Sequence, residues 1–533
     1  IASGGNYNVT VGDEAGTALT TGDANVAVGF QALKTEDANG ESTAIGYRAL
    51  MTQNAGAAAY NVAVGYDTGL DLTTGVRNTL LGTFAGSNIT SGTANVAVGY
   101  NSLGTEDAHG FNTAVGYQSL KTLNAGADAY NTAVGYQAGL AVTTGTQNTL
   151  IGGLAGDALT TGSQNVAMGY QALSSDDLGS HNVAIGANAL SDMNFATSTD
   201  SYNTAVGDQA GLRVTTGKEN TLIGGRAGDA LTDADFNTAV GQEALSTDTL
   251  GSRSIAIGWG ALRVQNFTTA TDTYNVAVGN LAGTAVTTGV QNTLIGSLAG
   301  DALTDADLNV AVGMQALTTD TLGSKSVAMG FFALGSQNFT TATDTFNVAV
   351  GYSAGSAVTT GIKNTLIGGA AGDALTDADF NVALGEFALS GDTLGSRTTA
   401  IGTGALSSQN FTTATNTYNT AVGYVAGNSI TTGKENTLIG GRAGDALTDA
   451  DFNTAVGQEA LSTDTLGSRS IAIGWGALRV QNFTTATDTY NVAVGNLAGT
   501  AVTTGVQNVL IGGLAGDSLT DADFNVAVGT AAL

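Results

Sequence analysis

The sequence predicts an all-β fold, a repetitive β-solenoid in which the chain winds through about 30 similar circuits, here called rungs. Three observations lead to this prediction. A short phrase, typified by NTAVG at residues 131–135, occurs 30 times in the chain. Its closing glycine recurs at a nearly constant step, as at Gly135, Gly152, Gly169 and Gly186. The chain contains 77 glycines and no proline. Internal repetition at a short, fixed period is the signature of solenoid architectures.

The spacing of the phrase defines a larger unit of four rungs. Three of every four steps are of equal length, as from Gly135 to Gly152, and every fourth step is longer. The longer step adds two residues early in the chain, as from Gly46 to Gly65, and four residues from Gly186 onward, as from Gly186 to Gly207. The segment Thr215–Asn292 recurs letter for letter at Thr431–Asn508, which indicates duplication of whole segments. The pattern predicts one continuous repeat array over residues 1–533, without linkers or separate domains.

Strands fit this repeat better than helices do. The repeat is built from Asn, Val, Thr and Gly, which are poor helix formers, and it lacks an apolar stripe at helical spacing. Seventeen residues, the length of the common step, suffice for two strands of four to six residues and two turns. Stacked rungs would pair with their neighbours about 4.8 Å away.

The strand at residues 131–135 has two apolar faces. Thr132 and Val134 point to one side, and Ala133 and Gly135 point to the other. A strand with two apolar faces is normally buried on both sides, and a narrow rung has only one inside. The pattern favours self-association of several chains; a wider single-chain solenoid is the alternative.

The first residue of the phrase is asparagine in 25 of the 30 copies and serine or threonine in the others. Stacking would align these side chains into a ladder of amides; the alternative is that each asparagine only serves a turn. The predicted structural ladder includes Asn131, Asn148, Asn165, Asn182, Asn203, Asn220 and Asn237.

The charge balance limits the partners. Lys and Arg total 16 against 44 Asp and Glu, for a net charge of −28, so repulsion argues against nucleic acid and anionic membrane surfaces as partners. No apolar run approaches the length of a membrane-spanning helix, so we expect no membrane insertion. The chain opens on Ile1 instead of Met, and we expect it to be a processed chain or a segment of a longer one.

A recurring acidic phrase, DALTDADFN, is the candidate cation site. Carboxylates grouped in a turn could supply oxygen ligands for Ca²⁺, although the spacing matches no established calcium loop. The alternative is a solvated acidic edge that keeps the protein soluble. The candidate ligands are Asp229, Asp233 and Asp235, with the equivalent triplets Asp301, Asp305, Asp307; Asp373, Asp377, Asp379; and Asp445, Asp449, Asp451.

The longer fourth rung and the aromatic residues are the candidates for recognition. Insertions in repeat arrays map to loops on one face, which are often binding loops. The predicted loop residues are Asn266, Phe267, Thr268, Asn338, Phe339, Thr340, Asn410, Phe411, Thr412, Asn482, Phe483 and Thr484. Aromatic side chains after the repeat glycine could stack on sugar rings or pack between chains; they are Tyr66, Tyr136, Tyr170, Trp259, Phe331, Tyr352 and Trp475.

Enzymatic activity is not expected, and no catalytic or cofactor-binding residue is predicted. Catalysis needs a singular constellation of a nucleophile, a base and an oxyanion donor. The two histidines, His109 and His181, stand in no catalytic motif, and the glycine-rich segment TLIGGRAG at residues 221–228 lacks the spacing of a phosphate-binding loop.

The repeats carry a family resemblance. SIAIG, SVAMG and NVAIG resemble the head repeats of trimeric autotransporter adhesins, and NTAVGYQAG and NTLIGGLAG are similar to repeats of phage tail-fibre proteins and related bacterial surface fibres. The resemblance covers the whole chain, but the coiled-coil stalk, membrane anchor and chaperone-like domain of such proteins are not recognised in it. It implies an intertwined parallel homotrimer outside the cell or on a virion.

The function expected from these observations is non-enzymatic. The chain would form the shaft or head of a virion tail fibre or cell-surface adhesin that presents a recognition surface to a host-surface glycan or protein receptor. The alternative is a purely structural extracellular filament or coat protein without a specific receptor.

Overall fold

The computed structural model describes residues 4–533 and is all-β, with no helix in that range. The chain divides into two compact units, one ending at Thr273 and the other beginning at Tyr274. Each unit contains 15 three-residue strands, one for each copy of the repeated phrase. The single array predicted for residues 1–533 stays a prediction, while inside each unit the rungs follow one another without a linker.

The three-residue strands of the first unit are Val9–Val11, Val26–Val28, Thr43–Ile45, Val62–Val64, Thr79–Leu81, Val96–Val98, Thr113–Val115, Thr132–Val134, Thr149–Ile151, Val166–Met168, Val183–Ile185, Thr204–Val206, Thr221–Ile223, Thr238–Val240 and Ile255–Ile257. Those of the second unit are Val276–Val278, Thr293–Ile295, Val310–Val312, Val327–Met329, Val348–Val350, Thr365–Ile367, Val382–Leu384, Thr399–Ile401, Thr420–Val422, Thr437–Ile439, Thr454–Val456, Ile471–Ile473, Val492–Val494, Val509–Ile511 and Val526–Val528.

Each of the longest rungs adds a two-residue strand, which pairs with two residues of the rung before it. In the first unit these pairs are Gly179–Ser180 with Thr199–Asp200 and Gly251–Ser252 with Thr271–Asp272. In the second unit they are Gly323–Ser324 with Thr343–Asp344, Gly395–Ser396 with Thr415–Asn416, and Gly467–Ser468 with Thr487–Asp488.

Successive strands pair in parallel and in register. Thr149 lies opposite Val166, and Val166 lies opposite Val183, so each residue meets its counterpart on the next rung. The common step of seventeen residues in the sequence is therefore the length of one turn of the chain. The predicted β-solenoid with this spacing is confirmed for the described residues, and the structure shows that its strands pair in parallel.

The predicted strand lengths are wrong, since most rungs hold a single strand of three residues. Residues with left-handed backbone angles interrupt any longer strand, as at Gln137 (φ 54°), Gly139 (φ 62°) and Gln147 (φ 59°). The non-strand part of each rung still pairs with its neighbours. The amide of Gly139 donates to the Ala155 carbonyl at 2.9 Å, and that of Thr143 donates to the Thr160 carbonyl at 2.9 Å.

A thin apolar core runs through the inside of the rungs. The central residue of each strand points inward, so Ala133 and Leu150 are fully buried. On the other side of the rung, Ala138 and Val142 close the core and are also fully buried. Alanine at most of these positions keeps the two sides close together, which accounts for the narrow rung.

The glycine that ends each strand cannot be replaced without strain. Gly440 has φ 139°, a conformation that residues with a side chain rarely adopt, and a methyl group there would overlap the Gly457 carbonyl on the next rung. Gly441, the next residue, has open space on its Cβ side. Two adjacent glycines thus serve different purposes, and only the first is required by the stacking.

We expect Gly440→Ala to destabilise the second unit by about 2 kcal/mol or more, because it combines backbone strain with a collision against the neighbouring rung. The measurement is the midpoint of urea unfolding, monitored by circular dichroism. Gly441→Ala is the matched control and should change stability by about 0.5 kcal/mol or less. Equal effects of the two substitutions would contradict the role given to Gly440.

Candidate interaction surface

A row of buried asparagines joins each rung to the rungs beside it. The Asn131 side-chain carbonyl accepts a hydrogen bond from the Asn148 backbone N–H at 2.8 Å, and the Asn131 amide donates to the Gly145 carbonyl at 2.8 Å. Asn148 repeats both contacts, with the Asn165 backbone N–H and with the Gly162 carbonyl. The amide thus bonds mainly to backbone groups instead of to other amides. All seven asparagines named from the sequence are fully buried.

A buried carboxylate network replaces part of this row in the longer rungs. Asp320 is fully buried and accepts hydrogen bonds from the amides of Gly323 and Phe339, both at 3.1 Å, and from the Gln337 side chain at 2.5 Å. Gln337 also donates to the Ser326 hydroxyl at 2.9 Å. The Asn347 side-chain amide donates to the Gln337 side-chain carbonyl at 2.9 Å, which completes the network.

Sequence reasoning missed this network, although a signal for it exists. Wherever serine or threonine replaces the ladder asparagine, an acidic residue stands six positions before it and a glutamine eleven positions after it, as in Asp320, Ser326 and Gln337. A single carboxylate is usually exposed, so the acidic residue alone does not predict a buried network.

The second apolar face of the strands lies on the outside of the rungs. We call the first and third residues of the three-residue strands the outer face. Thr132 is half-buried and Val134 is 36% exposed, while Ala133 between them is fully buried. Of the six isoleucines at the third position of the TLI and VLI strands, four are exposed to a similar degree, at 39% for Ile223, Ile295 and Ile439 and 40% for Ile511.

An exposed aromatic stack runs beside the outer face of the first unit. Tyr47 and Tyr66 lie parallel with their ring centroids 4.8 Å apart, and the rings of Tyr100 and Tyr117 are 5.4 Å apart. The full stack consists of Phe30, Tyr47, Tyr66, Phe84, Tyr100, Tyr117 and Tyr136. The seven aromatics named from the sequence are 37 to 66% exposed.

On the opposite edge of the outer face, the residue before the ladder position forms a second column. In parts of the second unit, as from Lys325 to Tyr418, this column alternates cations with aromatic rings. The Lys363 ammonium and the Arg397 guanidinium lie 5.0 Å and 4.8 Å from the ring of Phe380. Arg469 lies 4.6 Å from the ring of Phe452 and 5.8 Å from that of Tyr490. Cation–π contacts of this kind hold long side chains in place at the margin of the outer face.

The acidic triplets bond mainly to the preceding rung. Asp233 accepts a hydrogen bond from the Thr216 hydroxyl at 2.6 Å, and Asp235 accepts one from the Lys218 backbone N–H at 2.7 Å. The equivalent aspartates of the three other triplets make the same contacts; these are Asp305, Asp307, Asp377, Asp379, Asp449 and Asp451. In the part of the chain that the structure describes, no triplet places three carboxylate oxygens within 4.8 Å of one another. Calcium binding there stays a prediction.

The first aspartate of each triplet is partly buried. Burial raises the pKa of Asp229, against the lowering effect of Arg226, whose guanidinium donates to it at 3.3 Å. Burial likewise raises the pKa of Asp301, Asp373 and Asp445. These carboxylates therefore cost folding energy when they are ionised.

The loops of the longer rungs have a buried anchor and an exposed tip. Phe267 is 6% exposed, and its three equivalents, Phe339, Phe411 and Phe483, are 5 to 6% exposed. The flanking Asn266 and Thr268 are exposed, as are Asn338, Thr340, Asn410, Thr412, Asn482 and Thr484. Asn266 also accepts a hydrogen bond from the preceding rung, where the Thr249 hydroxyl donates to its side chain at 3.1 Å. The threonines thus form the accessible part of the predicted recognition loops.

No protein-family model matches the chain, and no curated protein matches it significantly. Among residues 4–533 there is also no helix with the length and apolar character needed to cross a bilayer.

We expect the stability of the fold to rise as the pH falls through the raised folded pKa values of Asp229, Asp301, Asp373 and Asp445. A carboxylate whose pKa is raised by folding contributes most below its unfolded pKa of about 3.9, and this contribution is lost as the pH rises through the folded pKa. The measurement is the urea midpoint as a function of pH. The variant with Asn at positions 229, 301, 373 and 445 should show a weaker pH dependence. An unchanged dependence would contradict the assignment.

Proposed function

We propose that the chain is a non-enzymatic fibrous attachment protein that acts as a parallel homotrimer outside the cell, as the shaft or head of a virion tail fibre or of a cell-surface adhesin. The observation that carries this proposal is the outer face, an apolar strip that continues from rung to rung in each unit. The resemblance of the repeats to those of trimeric surface fibres supports the choice of three chains.

The outer face is the kind of surface that a second chain covers. Monomeric soluble proteins rarely expose contiguous apolar patches larger than a few hundred Å². Full burial of an isoleucine side chain contributes roughly 1.5–3 kcal/mol, so covering one that is about 40% exposed contributes on the order of 1 kcal/mol. The same gain recurs at successive rungs, and parallel chains in register would collect it at every rung.

The margins of the outer face also suit an interface. Aromatic residues and arginine are enriched where proteins associate, and both stand in columns beside the apolar strip. The cation–π contacts already order the arginines, which reduces the side-chain entropy that association would otherwise lose.

Attachment is assigned to the loops of the longer rungs. Their threonines lie in solvent, while the buried phenylalanine holds the loop to the rungs. Such a loop is positioned by a rigid scaffold, as binding loops commonly are. The receptor would be a host-surface glycan or a host-surface protein.

We expect light scattering to give a mass near three times 52.8 kDa for the purified chain. The variant I223E/I295E/I439E/I511E should shift this mass toward 52.8 kDa, because four carboxylates per chain would have to be buried in the interface. The control variant T268E/T340E/T412E/T484E adds the same charge at the exposed loops and should keep the trimer. A monomeric wild-type protein would overturn the assembly.

The loop variant also tests attachment. On an array of surface glycans and in a cell-binding assay, the wild-type chain should bind, and the loop variant should lose binding while it remains trimeric. If neither the wild-type chain nor the loop variant binds in either assay, the result would favour a purely structural filament.

A further inference from the structure

The strongest unassigned cluster lies in the loop Gly104–Gly110 of the first unit. It contains Glu106, Asp107 and His109, whose candidate ligand atoms lie within 4.8 Å of one another. This is the one group of three such residues in residues 4–533. His109 contributes the imidazole, and its Nδ1 lies 3.3 Å from Glu106 Oε1.

A buried carboxylate oxygen in this cluster lacks a hydrogen-bond donor. The Glu106 side chain is 0% exposed, and its Oε1 accepts from the His109 backbone N–H at 3.2 Å. Its Oε2 is buried without any hydrogen-bond partner, and His109 Nδ1 also makes no hydrogen bond. Burial raises the pKa of Glu106, against the lowering effects of the backbone amide and ring of His109 and of the Ala125 backbone amide. A buried, unsatisfied carboxylate is costly unless a cation or a donor compensates it.

The preceding four-rung group shows what normally compensates this carboxylate. Glu36 occupies the equivalent position, and the Gln53 side chain donates to Glu36 Oε2 at 3.0 Å. In the second group that glutamine is replaced by Leu123, and the asparagine at position 39 is replaced by His109. The chain has thus lost the neutral donor and gained a metal-binding side chain at the same site.

The third four-rung group has lost the glutamine but has not gained the histidine. Asp176 stands at the equivalent position, with Met193 in place of the glutamine, and its Oδ2 is likewise without a partner. It has Gly179 where the second group has His109. Loss of the glutamine therefore accounts for the unsatisfied oxygen, and only the second group adds an imidazole to it.

We propose that Glu106, Asp107 and His109 form a binding site for a divalent transition-metal ion, with Zn²⁺ as the matching ion. One imidazole and two carboxylates are ligands that Zn²⁺ accepts, and water would complete the coordination. An imidazole nitrogen argues against Ca²⁺ and Mg²⁺, which prefer oxygen ligands. The site would be independent of the proposed attachment function and of the acidic triplets.

The backbone of the loop is already held in place for such a site. The Asp107 carbonyl accepts hydrogen bonds from the Ser91 backbone N–H at 3.2 Å and from the Thr90 hydroxyl at 2.7 Å on the preceding rung. Ligands about 2.1 Å from a tetrahedral Zn²⁺ are about 3.4 Å apart, so the ligand atoms need to approach one another by at most about 1.4 Å.

The test is equilibrium dialysis of the metal-stripped full chain against Zn²⁺, with Mg²⁺ as the hard-cation comparison. We expect one tightly bound Zn²⁺ per chain and no such site for Mg²⁺. His109→Asn, which copies the residue of the first group, should weaken binding about 100-fold or more. His181→Asn is the matched control, because His181 pairs with Asp200 at 3.1 Å outside the cluster and should leave zinc binding unchanged.

A second variant keeps all three ligands and supplies a hydrogen-bond donor to the unsatisfied oxygen of Glu106. Asn112→Ser with Leu123→Gln copies the residues Ser42 and Gln53 of the first group, so the new glutamine should donate to Glu106 and weaken zinc binding at least tenfold. Circular dichroism checks that each variant is folded. Wild-type affinity in the His109→Asn variant, or equal losses in the two histidine variants, would overturn the site.

Discussion

The in-register stacking of each rung on the next is the constraint on which the rest of the structure depends. Its most specific contact is the buried asparagine, which receives a backbone N–H from the next rung and donates to a glycine carbonyl, as Asn148 does with Asn165 and Gly162. A buried backbone group without a partner costs about 1–3 kcal/mol. Because the amide satisfies one donor and one acceptor at once, the irregular part of the rung can remain buried without forming strands.

Stacking in register also decides how side chains are used outside the core. A residue type that recurs at one position of the repeat forms a column of side chains along the stacked rungs. Whether neighbours in the column attract or repel one another depends on their side-chain chemistry. Tyrosines stack face to face, as Tyr47 does on Tyr66, while like charges in a column would repel. Where the second column carries cations, aromatic rings separate them, as Phe380 separates Lys363 from Arg397.

Sequence alone predicted the features that every rung shares and missed those that depend on contacts between different rungs. The period and the stacking of the rungs follow from repetition, while alternation separated Ala133 from Val134 without identifying which of the two faces lies inside. The strand length did not follow from either, because left-handed residues such as Gln137 and Gln147 carry no sequence signal comparable to glycine. The buried Asp320 was missed because its partner Gln337 lies on the next rung, and only the stacked structure brings the two side chains together.

Specific chemistry in such a chain has to come from departures from the repeat. A repeat treats each polar group in the same way at every rung, and even the unpartnered oxygens of Asp229, Asp373 and Asp445 recur at one position. The carboxylate position shows this most clearly, since the groups that have the glutamine are closed networks and the two that lost it, at Leu123 and Met193, retain an unpaired oxygen. Of these two, only the site at Glu106 also gained an imidazole. The outer face is the opposite case, because every rung leaves the same apolar strip uncovered and only an equally periodic partner can cover it. A second copy of the same chain has that period by construction.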